Sequence, residues 1–226
     1  MKYYKLSGSS DSKIIGVRNG VHQGEIKWKH FQDSNSEKKI SSYFINKLGK
    51  SLDKIEEIDF EIEYVEAYKS AKMTDFFMFT PALYGIYFFV NDKIVNVFSK
   101  FKLPVHNFIP VNIYQNEKQY KYWALYIPQY YGEESIVFEK SIFNRGTDFN
   151  KNYISLKNFK EYKEIGYVSI EKLVFNNRIN KSLDLFRSSF LGHSYLISET
   201  LKSALEKVDA SGIKMAVSIR PEIVIE

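Results

Sequence analysis

DFFMFTPALYGIYFFVNDKIVNVFSKFKLPVHNFIPVNI, residues 75–113, and DLFRSSFLGHSYLISETLKSALEKVDASGIKMAVSIR, residues 184–220, run through the same parts in the same order. Each opens on an Asp followed by an apolar residue and a Phe. A β-prone run comes next, then Asn91 or Ser198 with an acidic neighbour, Asp92 or Glu199. A side-chain oxygen at such a position accepts an N–H that the first helical turn leaves unpaired, and the carboxylate complements the positive end of the helix dipole. The pattern therefore predicts two helix starts, offset by about 107 residues. Within the helices, Ile94, Val97, Phe98 and Phe101 match Leu201, Ala204, Leu205 and Val208, one apolar stripe each at i, i+3, i+4, i+7. The stripes stop before Leu103-Pro104 and Ser211-Gly212, and a strand-like run follows each, NFIPVNI or IKMAVSI. The expected unit is strand, helix, strand, used twice. The expected fold is α+β, a mixed or antiparallel sheet with few helices.

Outward from these units, KIEEIDFEIEYVE (residues 54–66) alternates with period two. Ile58, Phe60, Ile62 and Tyr64 fall on one face and Glu57, Asp59, Glu61 and Glu63 on the other, which predicts a strand with a carboxylate ladder toward solvent. ALYGIYFFV (82–90) reads as a buried strand, about half the ~20 residues that a helix needs to span a bilayer. KYYKL (2–6) and KIIGV (13–17) read as an opening pair of strands around the turn-like SGSSDS. SEKKISSYFINKLGK (36–50) reads as a short helix with Gly49 as its C-cap. YKYWALYI (120–127), SIVFEKSIF (135–143) and KNYISLKNF (151–159) read as strands, paired antiparallel. With no Gly/Ser linker, Pro-rich hinge or low-complexity tract, the expectation is one unit over residues 1–226, or two packed lobes at 1–115 and 116–226.

The chain has 226 residues, 44% of them hydrophobic, which is enough apolar mass to bury a core without staples. It has no cysteine, so disulfides, zinc-thiolate sites and cysteine nucleophiles are excluded. MKYYKLSGSSDSK turns polar after six residues and lacks the apolar stretch of a secretory signal, which predicts a cytoplasmic protein. Net charge is +5, yet only five of the 32 basic residues are Arg, the fork that phosphate and base edges select. The Lys excess, spread along the chain, fits the drift of an AT-rich genome. Residues 56–66 hold six acidic groups and no basic one, so this segment carries −6 and the rest of the chain +11. Most charge runs of this kind are solvated strand faces; read functionally, the patch suits a basic partner.

The motifs that carry chemistry are missing. His22, His30, His106 and His193 show no metal spacing, and Glu25 between the first two does not complete a metalloprotease pattern. His193 stands beside Ser194 without a nucleophile elbow, and there is no Gly-rich phosphate loop. The carboxylates of residues 56–66 face solvent, where their pKa values stay too ordinary for acid/base work. These observations predict no enzyme, no catalytic or metal residues and no cofactor. Lys interleaved with aromatics, as in QYKYWALYIPQYY (119–131), leaves open an alternative, a nucleic-acid-binding module in which rings stack on bases. Such alternation in strands more commonly packs a core, so nucleic acid is disfavoured.

Three stretches resemble the bacterial immunity protein family 11, also called domain of unknown function 1629, of polymorphic toxin systems. They are FFVNDKIVNVFSKFKLPVHNFIPVNIY, VFEKSIF with Glu139 and Ser141, and LDLFRSSFLGHSYLISETLKSALEKVDASGIKM with Phe186-Arg187, Ser198 and Gly212. The resemblance covers most of the chain from Asp75 onward, with Asn91 standing where the family has Ser. It implies an intracellular antidote that neutralises a cognate toxin protein by direct binding, and it supplies no catalytic residues. The partner-binding residues expected from the charge pattern are Glu57, Asp59, Glu61 and Glu63.

Overall fold

The computed structural model describes residues 3–18, 20–45, 60–128, 131–192, 194–216 and 221–226. Strands β1 (Tyr3–Gly8), β2 (Gly24–Ile26), β3 (Ile62–Ala67), β4 (Phe76–Phe77) and β5 (Phe79–Thr80) come first. β6 (Ile86–Val90), β7 (Asn107–Gln115), β8 (Lys118–Tyr126), β9 (Ile142–Asn144) and β10 (Tyr153–Ile154) occupy the middle. β11 (Ser169–Phe175), β12 (Leu185–Arg187), β13 (Tyr195–Ser198), β14 (Ile213–Ala216) and β15 (Glu222–Ile225) complete the sheets. The helices are α1 (Ser12–Ile15), α2 (Ser34–Ile40), α3 (Asp92–Phe98), α4 (Phe159–Glu164) and α5 (Glu199–Lys207). The fold is α+β. A mixed sheet runs β4-β6-β8-β7-β3-β2-β5, an antiparallel one β12-β13-β1-β14, and a smaller mixed one β10-β9-β11-β15.

The long hairpin at the centre of the first sheet follows from its sequence. β7 and β8 pair from Asn107↔Tyr126 to Gln115↔Lys118, and the two turn residues, Asn116 (φ 48°) and Glu117 (φ 65°), take the left-handed conformation that a two-residue primed turn demands. Alternation then buries Ile109, Val111 and Ile113 on β7 and Tyr122, Ala124 and Tyr126 on β8, with Ile109 opposite Ala124 and Val111 opposite Tyr122.

Both predicted caps form. Asn91 accepts from Ile94 N–H at 3.3 Å and Ser198 Oγ from Leu201 N–H at 3.1 Å. The two Asp residues that open the units hold these caps from behind. Asn91 Nδ2 donates to Asp75 Oδ1 at 2.8 Å, and Ser198 Oγ donates to Asp184 Oδ1 at 2.6 Å. The other oxygens cross between units: Asp75 Oδ2 accepts from Ser211 N–H, just past α5, at 2.8 Å, and Asp184 Oδ2 accepts from Lys102 N–H, past α3, at 3.0 Å. α3 packs on α5, and the strand orders β4-β6-β8-β7 and β12-β13-β1-β14 place an antiparallel strand between the two strands of each unit. The helix stripes meet in one core with both sheets, from Tyr4 and Leu6 through Phe88, Ile94, Phe98, Leu125, Tyr195, Leu201 and Leu205 to Ile213.

Several expectations are corrected. The second opening run is not a strand: Asp11 caps Lys13 N–H and Gly16 closes the turn at φ 78°, so residues 12–15 form α1. The turn-like Ser-Asp cluster is a helix cap. α2 begins at Ser34 behind the cap Asp33 and continues as a π-helical turn over Ser41–Ile45, while Gly49 lies outside the described residues. SIVFEKSIF begins on the last residue of the 3-10 turn Glu133–Ser135, holds a second such turn at Phe138–Lys140 and enters the short β9 only at Ile142, and within residues 151–159 only Tyr153–Ile154 pairs. In QYKYWALYIPQYY, Tyr122 and Tyr126 are buried and Trp123 Nε1 donates to Asp92 at 2.7 Å, so these rings serve packing. Among the described residues, no helix is long and apolar enough to cross a membrane.

Candidate functional site

The carboxylate ladder is met by the structure at its C-terminal end; Glu57 and Asp59 lie outside the described residues. Phe60 and Ile62 are buried, as alternation requires. β3 then breaks register against β7: Ile62 pairs with Val111, but Val65, three residues on, pairs with Ile113, two residues on. The bulge turns Val65 and Ala67 inward and releases Tyr64 from the face where alternation had put it. Tyr64 now stacks on Tyr114 of β7, centroids 4.3 Å apart and planes at 11°, and His30 packs on Tyr64 at 4.6 Å.

These rings, with Gln32, Glu61, Glu63 and Asn112, line a cleft of about 350 Å³ on the seven-stranded sheet. His30 arrives on a 3-10 turn, Trp28–His30, that follows β2 and is tied to β3 by Lys27 N–H to the Tyr64 carbonyl at 3.1 Å. Gln119 Nε2 donates to Asn112 Oδ1 at 2.8 Å and fixes that amide.

The acidic residues do not share one role. Glu63 accepts the backbone N–H groups of Gln32 and Asp33 and so anchors the segment leading into α2. Glu66 stands opposite Glu25 across the β2–β3 ladder, and Lys27 bridges both, at 2.5 Å to Glu25 and 3.6 Å to Glu66. The hydrogen bond to Glu25 raises the Lys27 ammonium above its ordinary value. Glu61 is exposed at the cleft rim. A carboxylate beside tyrosine rings, with amide groups alongside, suits a Lys or Arg side chain, whose charge pairs with the carboxylate and whose stem lies on the rings.

His30, Gln32, Asn112 and Tyr114 were not among the residues expected from sequence. The cleft depends on the bulge and on the parallel β3–β7 pairing, and neither leaves a local mark. Two of the residues that carried the resemblance are tied into the fold: Ser141 Oγ donates to the Val137 carbonyl at 2.9 Å and accepts from Val174 N–H at 3.0 Å, and Phe186 sits edge-on to Tyr3 and Tyr131. Among the described residues, no group of three or more His, Cys, Asp or Glu is placed to hold a metal ion.

Fold and cleft together define a β-rich α+β protein with a polar, ring-lined cleft on its seven-stranded sheet. The model of the Immunity protein family (Imm11) matches residues 36–217, and the chain belongs to that family. The match reaches back beyond Asp75 to take in most of α2 and all of β3, including Glu61, Glu63 and Tyr64, and begins after His30 and Gln32. No curated protein matches the chain.

Proposed function

We propose that this protein is the cytoplasmic antidote of a polymorphic toxin system, neutralising a cognate bacterial toxin by binding it directly and not by catalysis. Membership of an immunity family supports the role. The observation that carries the direct-contact reading is the cleft, where the His30–Tyr64–Tyr114 column and exposed Glu61 present rigid rings beside an acidic rim. Tyrosine anchors of this kind concentrate binding energy, while the surrounding charge sets association rate. The complementary toxin surface is basic, and inhibition follows if that surface borders the toxin's active site or substrate channel.

The test is co-expression with the product of the adjacent upstream gene, scored by host survival and co-purification, with Tyr114→Ala beside the wild type. Rescue and a stable complex with the wild type, weakened by the substitution, are the expected results. A harmless neighbour with no complex overturns the antidote reading, whereas full rescue with an undiminished complex from Tyr114→Ala moves the contact to another face.

A further inference from the structure

Arg187 ends β12, an edge strand, and is 5% exposed. It bridges the antiparallel and the seven-stranded sheets: Nε donates to Tyr87 Oη on β6 at 3.1 Å, Nη1 donates to the carbonyl of Ile127 just past β8, and the guanidinium lies over the rings of Tyr87 and Tyr84 at 4.9 and 5.2 Å. These contacts account for two of its five N–H donors. Among the described residues, no carboxylate pairs with it and Nη2 has no hydrogen-bond acceptor. A cation withdrawn from water without a counter-ion is costly, and ring faces and neutral oxygens offset only part of that cost.

The same guanidinium lines a cavity of about 220 Å³ whose other walls are Tyr84, Tyr87, Ser188 and Ser189. Ser188 Oγ is engaged as the cap of Phe190 N–H, and Ser189, exposed, stands at the mouth. We propose that this cavity is a carboxylate-binding site in which the free edge of Arg187 takes the two oxygens and Tyr84 and Tyr87 flank the acid's stem. A guanidinium fork matches a carboxylate in plane and spacing, and the pairing supplies the missing counter-ion. The volume suits the end of a small acid or a Glu side chain and is too small for a nucleotide. The site is separate from the acidic cleft, whose chemistry selects the opposite charge, so its test does not depend on the antidote reading.

Wild-type protein is titrated with sodium succinate, with acetyl-Gly-Glu-Gly-amide and with the Gln version of that peptide, each at matched ionic strength against sodium chloride. The readouts are calorimetry and the NMR signals of the Arg187 guanidinium. A saturable, Arg187-centred response in the millimolar range is expected, as for a single ion pair on a preformed site. Ser189→Phe, which plugs the mouth and leaves the Arg187 contacts in place, weakens it at least about tenfold. Because Arg187→Lys removes the cross-sheet bonds, it is read only where its melting curve remains cooperative, and it too loses the response. Succinate alone binding assigns the site to a free small acid, and discrimination of the Glu from the Gln peptide assigns it to a protein's carboxylate side chain. A response equal to that of chloride for both acids, or one unchanged in Ser189→Phe, overturns the proposal.

Discussion

Asp75 lies at the crossing point of the two strand-helix units, and its ionisation governs how firmly they are joined. It is 8% exposed, and its oxygens take Asn91 Nδ2, both donors of Ser211 and, at 2.7 Å, the ammonium of Lys93. Burial alone would raise its carboxyl, but the Lys93 ammonium and the hydrogen bonds from Ser211 and Asn91 outweigh it and hold the group below its ordinary value of 3.8. A carboxyl depressed by folding contributes stability that is complete above the unfolded value and lost as pH falls through the folded one. Asp75→Asn is therefore expected to cost about 2 to 3 kcal/mol at pH 7, the scale of charge-assisted bonds, and the gap from wild type to narrow below about pH 3.8. Urea unfolding at pH 7 and pH 3 measures both. At this scale the sequence was readable where the chemistry is local: Asn91 and Ser198 declare themselves as caps by their neighbours. It was silent on Asp75 meeting Ser211, because 136 residues separate them.

Elements were readable where one rule acted alone. The α3 and α5 starts are where the caps predict them, though α3 ends at Phe98, before Phe101 of the expected stripe. NFIPVNI and YKYWALYI are strands as expected, but they pair with each other through the Asn116-Glu117 turn, a partner not expected from sequence. β3 misled because perfect alternation through Tyr64 assumes a regular strand, and the bulge against β7 reverses the pattern from Val65 onward. KIIGV misleads because its β-branched propensity yields to a cap at Asp11 and a left-handed Gly16. Gly212, which lies past the end of α5, is also a contact: at φ 87°, a methyl group on its Cα would lie 2.1 Å from the Phe76 carbonyl oxygen, so β4 and the end of α5 approach through the space a side chain would fill. Gly166, past α4, has a similar φ of 77°, and a methyl group there would meet nothing within 4 Å. Gly212→Ala is expected to cost about 3 kcal/mol or more, and Gly166→Ala only the left-handed penalty of about 1 kcal/mol. The difference between the two in thermal or urea unfolding isolates the close approach from backbone strain; equal losses would assign Gly212 to conformation alone.

Across the whole molecule the charge is uneven in a way that bears on association. A chain of net +5 that concentrates six acidic residues within residues 56–66 opposes a basic partner by its average and attracts it at one place. The structure sorts that segment's charge further. Glu63 is held by the Gln32 and Asp33 amides and Glu66 by Lys27, so their loss would disturb the local backbone and the β2–β3 ladder as well as the field. Glu61, exposed at the rim, is the described residue whose reversal changes charge with the least structural consequence, and Glu57 and Asp59 extend the same run. Glu57→Lys with Glu61→Lys moves the local charge by +4, and steering theory places the effect in the encounter rate and not in the close contacts of the rings. In stopped-flow mixing with the toxin recovered by co-expression, the double variant is expected to associate about tenfold more slowly near 0.02 M salt and to approach the wild type above about 0.5 M, where the Debye length has shrunk to a few ångströms. Its dissociation rate should stay within about twofold, in contrast to Tyr114→Ala, which acts on dissociation. An association rate indifferent to both the reversal and the salt would remove the acidic rim from the encounter and leave any binding at this cleft to the ring column alone.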